Sequence, residues 1–112
     1  MQQSVILKHL RNLTAQQVGI CEQSRRRYLA RERPVPFTVG WAILHEAGEV
    51  GSPCPDLQTV VRTLAMSCTL AEIGQQVGLD GDTIGCYAAG RRRRVIWDNG
   101  VRLLRLAGVE VK

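Results

Sequence analysis

Aromatic residues are scarce in this 112-residue chain, where two tryptophans, two tyrosines and one phenylalanine make up 4%. A platform for stacking the bases of single-stranded nucleic acid is therefore poorly supplied. No apolar run approaches the length of a membrane span. The N-terminal MQQSVILKHLRNL has no charged region leading into a long apolar stretch. Neither a membrane partner nor a secretory leader is expected on those grounds. The four cysteines, Cys21, Cys54, Cys68 and Cys86, form no C-x-x-C pair, and His9 and His45 lie far from any paired thiols. This spacing argues against a metal site and favours reduced, structural thiols in a cytoplasmic protein. No nucleophile–base pair or phosphate-cradling glycine loop is evident, so neither an enzyme nor a cofactor is expected. The length itself allows one domain, or two very small ones, without a deep substrate cleft.

Hydrophobic residues are plentiful at 45%, enough for a packed core and too many for a disordered basic tail. Lys and Arg number 15 against 10 Asp and Glu, a formal net charge of +5. A small basic globular domain meets nucleic acid more often than any other acidic partner.

The chain also repeats itself. Gln17-Val18-Gly19-Ile20 matches Gln76-Val77-Gly78-Leu79 at an offset of 59. The same offset pairs Tyr28 with Tyr87, Ala30 with Ala89, Arg33 with Arg92 and Phe37 with Ile96. A slip of one residue then pairs Ile43-Leu44 with Leu103-Leu104 and Ala47-Gly48 with Ala107-Gly108. Two units, 1–50 and 57–112, are expected around a linker at 51–56, because the GEVGSPCPD segment carries two glycines and two prolines that no helix sustains. Residues 1–56 hold 7 basic and 5 acidic groups and residues 57–112 hold 8 and 5, so both halves are mildly basic.

The second half reads as a series of helices. Asp56 can cap one with Leu57, Val60, Val61 and Leu64 at helical spacing. Thr69 and Glu72 form a capping-box pattern ahead of Leu70, Ile73 and Val77, and Gly78 stops that helix. Asp80 or Asp82 can cap the next, Thr83 to Ala89, with Ile84 and Tyr87 inward and Gly90 at its end. Arg91–Arg94 follow as a loop. Asp98 is expected to cap a last helix whose Val101, Leu104 and Ala107 face the core, closed by Gly108. No β-type alternation competes over a useful length. The predicted class is all-α.

Two short helices joined by a glycine turn describe a helix-turn-helix. LAEIGQQVGLDGDTIGCYAAGRRRR followed by DNGVRLLRLAG resembles the lambda-repressor-like or Cro-like helix-turn-helix superfamily of phage and bacterial regulators, across Thr69 to Gly108. NLTAQQVGICEQSRRRYLARERPVPFTVGWAILHEAG resembles the same superfamily in a more degenerate form, related to its short phage activators. Ala15 and Gly74 occupy the position where that family brings its two helices close together.

The resemblance implies a second helix lying in the major groove of double-stranded DNA, with its N-terminal outward side chains on base edges. Carried onto the first copy, those positions are Glu22, Gln23, Ser24, Arg26 and Arg27. Arg can pair bidentately with guanine and Gln with adenine, and Glu can accept from cytosine, each bidentate contact giving ~1–3 kcal/mol of discrimination. Alternatively Arg25-Arg26-Arg27 is a solvated helix face, as most charge runs are. Arg25 departs from the family, which places an inward apolar residue there, as Ile84 does in the second copy. Burying a lone guanidinium costs several kcal/mol, on the order expected for unpaired charge. Arg25 then either reaches a phosphate or sits on a rotated helix. Arg31 and Arg33 follow as further candidate DNA-binding residues. The second copy offers Gly81, Asp82, Thr83, Gly85 and Cys86, little able to read bases, apart from Asp82 accepting from cytosine or Thr83 touching a thymine methyl or phosphate. Its charge gathers in Arg91, Arg92, Arg93 and Arg94, suited to phosphates. The first copy is therefore expected to specify and the second to anchor.

Phe37 and Trp41, four apart, are expected in the core, while Trp97, beside the expected cap, is left open between the core and partial exposure at an interface. Cys21 and Cys86 read as small filling residues, with a redox-sensing thiol the sharper alternative. The overall expectation is a sequence-specific transcriptional regulator of bacterial, phage or mobile-element origin. Whether it acts as a pseudo-dimer or a homodimer, and whether it contacts RNA polymerase, stays open. The alternative is a protein-interaction module, or a non-specific DNA-binding accessory protein, that kept the fold and lost base reading.

Overall fold

A computed structural model of the chain describes residues 3–91 and 95–109. Among them are eight helices, α1 (Gln3–Leu10), α2 (Ala15–Val18), α3 (Glu22–Leu29), α4 (Phe37–Glu46), α5 (Leu57–Leu64), α6 (Leu70–Val77), α7 (Gly81–Ala88) and α8 (Trp97–Leu106). The only extended pairing among the described residues is one isolated antiparallel bridge between Pro36 and Ile96. The fold is all-α. The chain divides into two units, Met1–Cys54 with Ile96–Asp98, and Pro55–Val95 with Asn99–Lys112. This division differs from the sequence boundaries, because 51–54 and the three residues Ile96–Asp98 belong with the first unit.

In the first unit, α1 supplies Ile6, Leu7 and Leu10 to the core, and α4 supplies Phe37, Trp41, Ile43 and Leu44. Ala15, Val18 and Tyr28 close it from α2 and α3. Trp97 is fully buried here, stacked on Phe37 with ring centroids 5.3 Å apart and planes 17° apart. Gly40 lies against that ring, and a Cβ there would run into it. Trp41 also packs on Phe37, and its indole N–H donates to Ser52 O at 2.9 Å, which fastens the 51–54 segment to α4.

The second unit buries Leu57, Val61 and Leu64 of α5, Ile73 and Val77 of α6, and Ile84 and Tyr87 of α7. Its helices start where the chain offers side-chain acceptors. Asp56 accepts from the Gln58 N–H, Thr69 from Glu72 and Asp80 from Thr83. Such a bond satisfies one of the N–H groups that a first helical turn leaves without partners. Gly78 ends α6 at φ 77, the left-handed conformation that glycine adopts without steric cost.

Several expectations are corrected or settled. Helix α7 begins at Gly81, because Asp80 is its cap and Asp82 already lies in its first turn. Helix α8 begins at Trp97, one residue before the expected cap Asp98. The Trp97 N–H finds its acceptor in Val35 O at 2.8 Å, far away in sequence, so no local capping side chain marks this start. Trp97 is therefore core rather than partly exposed, whereas Ala107 lies past the end of α8 and is exposed.

Candidate nucleic-acid interface

Each unit contains two helices joined by a left-handed glycine, α2–Gly19–α3 in the first and α6–Gly78–α7 in the second. The turns close alike. Ile20 N–H donates to Ala15 O at 3.0 Å, and Leu79 N–H to Gly74 O at 2.8 Å. A Cβ on Gly74 would collide with the Leu79 carbonyl, so the small residue lets the backbones approach.

The helices before the turns differ. α6 has 8 residues, whereas α2 has 4, a single turn held by a reciprocal box in which Thr14 Oγ accepts from Gln17 N–H and Gln17 Oε1 from Thr14 N–H. The first half of the longer helix has no counterpart in the first unit. In its place runs the end of α1 and the turn after it, whose carbonyls face a different donor. That donor is Arg25. Its Nε donates to Leu13 O at 2.9 Å, and its Nη2 to Leu10 O and Arg11 O, each at 3.3 Å. Its Nη1 contacts Glu22 Oε1 at 3.3 Å. Neither alternative weighed for Arg25 describes this geometry. The helix is not turned relative to its counterpart, since Tyr28 is buried in α3 as Tyr87 is in α7. The guanidinium instead bonds to carbonyls at the end of α1 and in the turn that follows it.

With Arg25 and Tyr28 inward, the opposite stripe of α3 carries Glu22, Gln23, Arg26 and Arg27, at the three- and four-residue spacings of one helix face. Glu22, Gln23 and Arg26 are exposed and Arg27 is half-buried. Glu22 lies 3.5 Å from Arg26 Nε, a solvent-exposed pair that holds the side chain only weakly. Ser24 is drawn off the stripe toward the start of the helix, where its Oγ lies 3.1 Å from Cys21 Sγ. Arg31 and Arg33 are exposed just beyond α3.

Cys21 is exposed rather than a small filling residue, and its place as a helix cap is what sequence reasoning missed. It is the N-cap of α3, its sulfur accepting from the Ser24 N–H at 3.4 Å, and it stands where Asp80 caps α7. The offset of 59 contained that signal. The bond to the Ser24 hydroxyl, and then that to its N–H, hold this exposed thiol below its ordinary pKa.

The matching stripe of α7 is Gly81, Asp82, Gly85 and Cys86. Asp82 is exposed, Thr83 and Cys86 are half-buried, and no long side chain projects. The far end of α7 is tied down, its Ala88 carbonyl accepting from Gln58 Nε2 at 3.2 Å and Arg62 Nε at 2.9 Å. Arg91 is exposed; Arg92, Arg93 and Arg94 lie outside the described residues. No group of three or more His, Cys, Asp or Glu is arranged to hold a metal ion among the described residues, and no described helix is long and apolar enough to cross a membrane. No family model matches this sequence, and no curated protein or solved structure is significantly similar to it.

Proposed function

We propose that this protein binds double-stranded DNA with sequence preference through α3, as a transcriptional regulator of bacterial, phage or mobile-element origin. The observation that carries this reading is the α3 stripe: Gln23 and Arg26 exposed side by side on a helix that follows a glycine turn, with arginines continuing at 31 and 33. Gln23 and Arg26 are the base readers, Arg27, Arg31 and Arg33 meet phosphates, and Glu22 either accepts from a cytosine amine or steadies Arg26. Arg25 is left out of the interface, because its guanidinium is engaged with three backbone carbonyls of its own unit. The second unit contributes phosphate contacts through Arg91–Arg94 and few or no base contacts. Whether one chain or a homodimer occupies a site would be read from the symmetry of the preferred sequence.

Binding to a duplex selected from random sequence tests the proposal. Gln23→Ala or Arg26→Ala should weaken that complex by about 10- to 100-fold and relax the preference at one or two positions. Binding that is equally tight to every sequence, in the wild type as in both variants, would contradict it. The second reading, a protein-interaction module, draws on the α7 face, where Gly81, Gly85 and Cys86 leave a surface without reading side chains. It expects weak, sequence-indifferent and strongly salt-dependent DNA binding.

A further inference from the structure

Helices α3 and α7 end in the same way. Past Ala30, Arg31 N–H donates to Tyr28 O at 3.0 Å and Glu32 N–H reaches back to Arg27 O at 3.0 Å. Past Ala89, Gly90 N–H donates to Tyr87 O at 3.2 Å and Arg91 N–H to Cys86 O at 3.0 Å. This double closure needs a left-handed residue just after the cap. The second unit uses Gly90, at φ 72; the first uses Arg31, at φ 60. Every other positive-φ position among the described residues is glycine, namely Gly19, Gly48, Gly78, Gly90 and Gly108. In that conformation an L side chain crowds its Cβ against the following carbonyl, a cost glycine does not carry. Arginine at 31 therefore makes the first unit less stable than glycine would, unless its side chain returns something.

It returns no ion pair among the described residues. The pairs found among the described residues are His9–Glu49, Arg25–Glu22 and Arg26–Glu22, and Arg31 is exposed. A cation at a helix C-terminus gains a little from the helix dipole, but for an exposed group that gain is small and screened by salt. We propose that Arg31 is a phosphate-binding residue kept at the expense of stability, carried on the left-handed closure that follows α3. The inference rests on α3 being the DNA-binding helix. It adds that the closure after α3 is a built anchor, whereas the matching closure after α7 serves only to end a helix.

The full-length chain is compared with Arg31→Gly and Arg31→Lys in thermal melting and in binding to a 30-base-pair random duplex over a range of NaCl concentrations. Arg31→Gly should melt roughly 3–6 °C higher, as expected for relieving a left-handed side chain in a small domain. Its affinity near 0.1 M salt should fall by about tenfold, and its log–log salt slope should flatten by about 0.9, the share of one phosphate contact. Arg31→Lys keeps both the charge and the backbone cost, so it should keep the wild-type melting temperature and slope. A lower melting temperature for Arg31→Gly would assign the arginine to helix stability and overturn the proposal. So would a higher melting temperature with an unchanged slope, in which case DNA binding by α3 would still stand. If the wild type bound no duplex even at low salt, the reading of α3 itself would fall, and this inference with it.

Discussion

The two units solve the same packing problem with opposite chemistry. At the inward position of the helix after the glycine turn, the second unit has Ile84, fully buried beneath a two-turn α6. The first has Arg25, beneath a one-turn α2. These two differences are one. Beside the short α2 the carbonyls of Leu10, Arg11 and Leu13 all meet Arg25, and an apolar residue in its place would take that donor from Arg11 O and Leu13 O, while Leu10 O keeps the Leu13 N–H. A guanidinium fits because it presents several N–H groups in a rigid fork. An arginine that looks like part of a DNA-binding run is, by its contacts, the piece of the core that replaces a missing helical turn.

Substitutions at the paired positions can break this comparison. Ile84→Ala removes a fully buried side chain and should lower stability by roughly 2–5 kcal/mol, the range for buried aliphatic truncations. Arg25→Met, which makes the first unit resemble the second, should also destabilise, by about 2 kcal/mol, because the carbonyls of Arg11 and Leu13 lose their donor. Urea unfolding would check both. A neutral or stabilised Arg25→Met protein would mean that the carbonyls are satisfied otherwise, and the pairing of short α2 with arginine would be coincidental.

The caps differ as well. Asp80→Ala should cost about 1 kcal/mol, the usual worth of an N-cap. Cys21 is the subtler case. Its folded-state pKa is lowered, so the thiolate form favours the native helix as pH rises through that value, and the advantage is lost below it. Alkylation of Cys21 followed against pH should have its midpoint below the ordinary thiol value. Ser24→Ala should move that midpoint up, since the Ser24 hydroxyl is the largest cause of the shift. A midpoint indifferent to Ser24 would remove the thiol cap from the account.

What could be read from the sequence follows from how local each determinant is. The Thr69–Glu72 pattern, the stop at Gly78 and the core positions Phe37 and Trp41 depend on neighbours within a turn or two, and each was legible. The start of α8 was misplaced because the partner of Trp97 N–H is Val35 O, and nothing near Trp97 announces it. The role of Arg25 was hidden for the same reason: its carbonyl acceptors lie 12 to 15 residues earlier, in a turn whose shape depends on where α1 stops. For the candidate interface, the sequence pointed to α3. Which arginines face outward became visible only in the folded unit.

The central claim is that base reading resides in α3 while the α7 face contributes none. Selection of duplexes from a random pool tests it most directly, run in parallel on the wild type, on Gln23→Ala/Arg26→Ala and on Asp82→Ala/Thr83→Ala. The account predicts one enriched motif for the wild type, its loss in the α3 variant and its survival unchanged in the α7 variant. A motif that survives the α3 changes and vanishes with the α7 changes would contradict it.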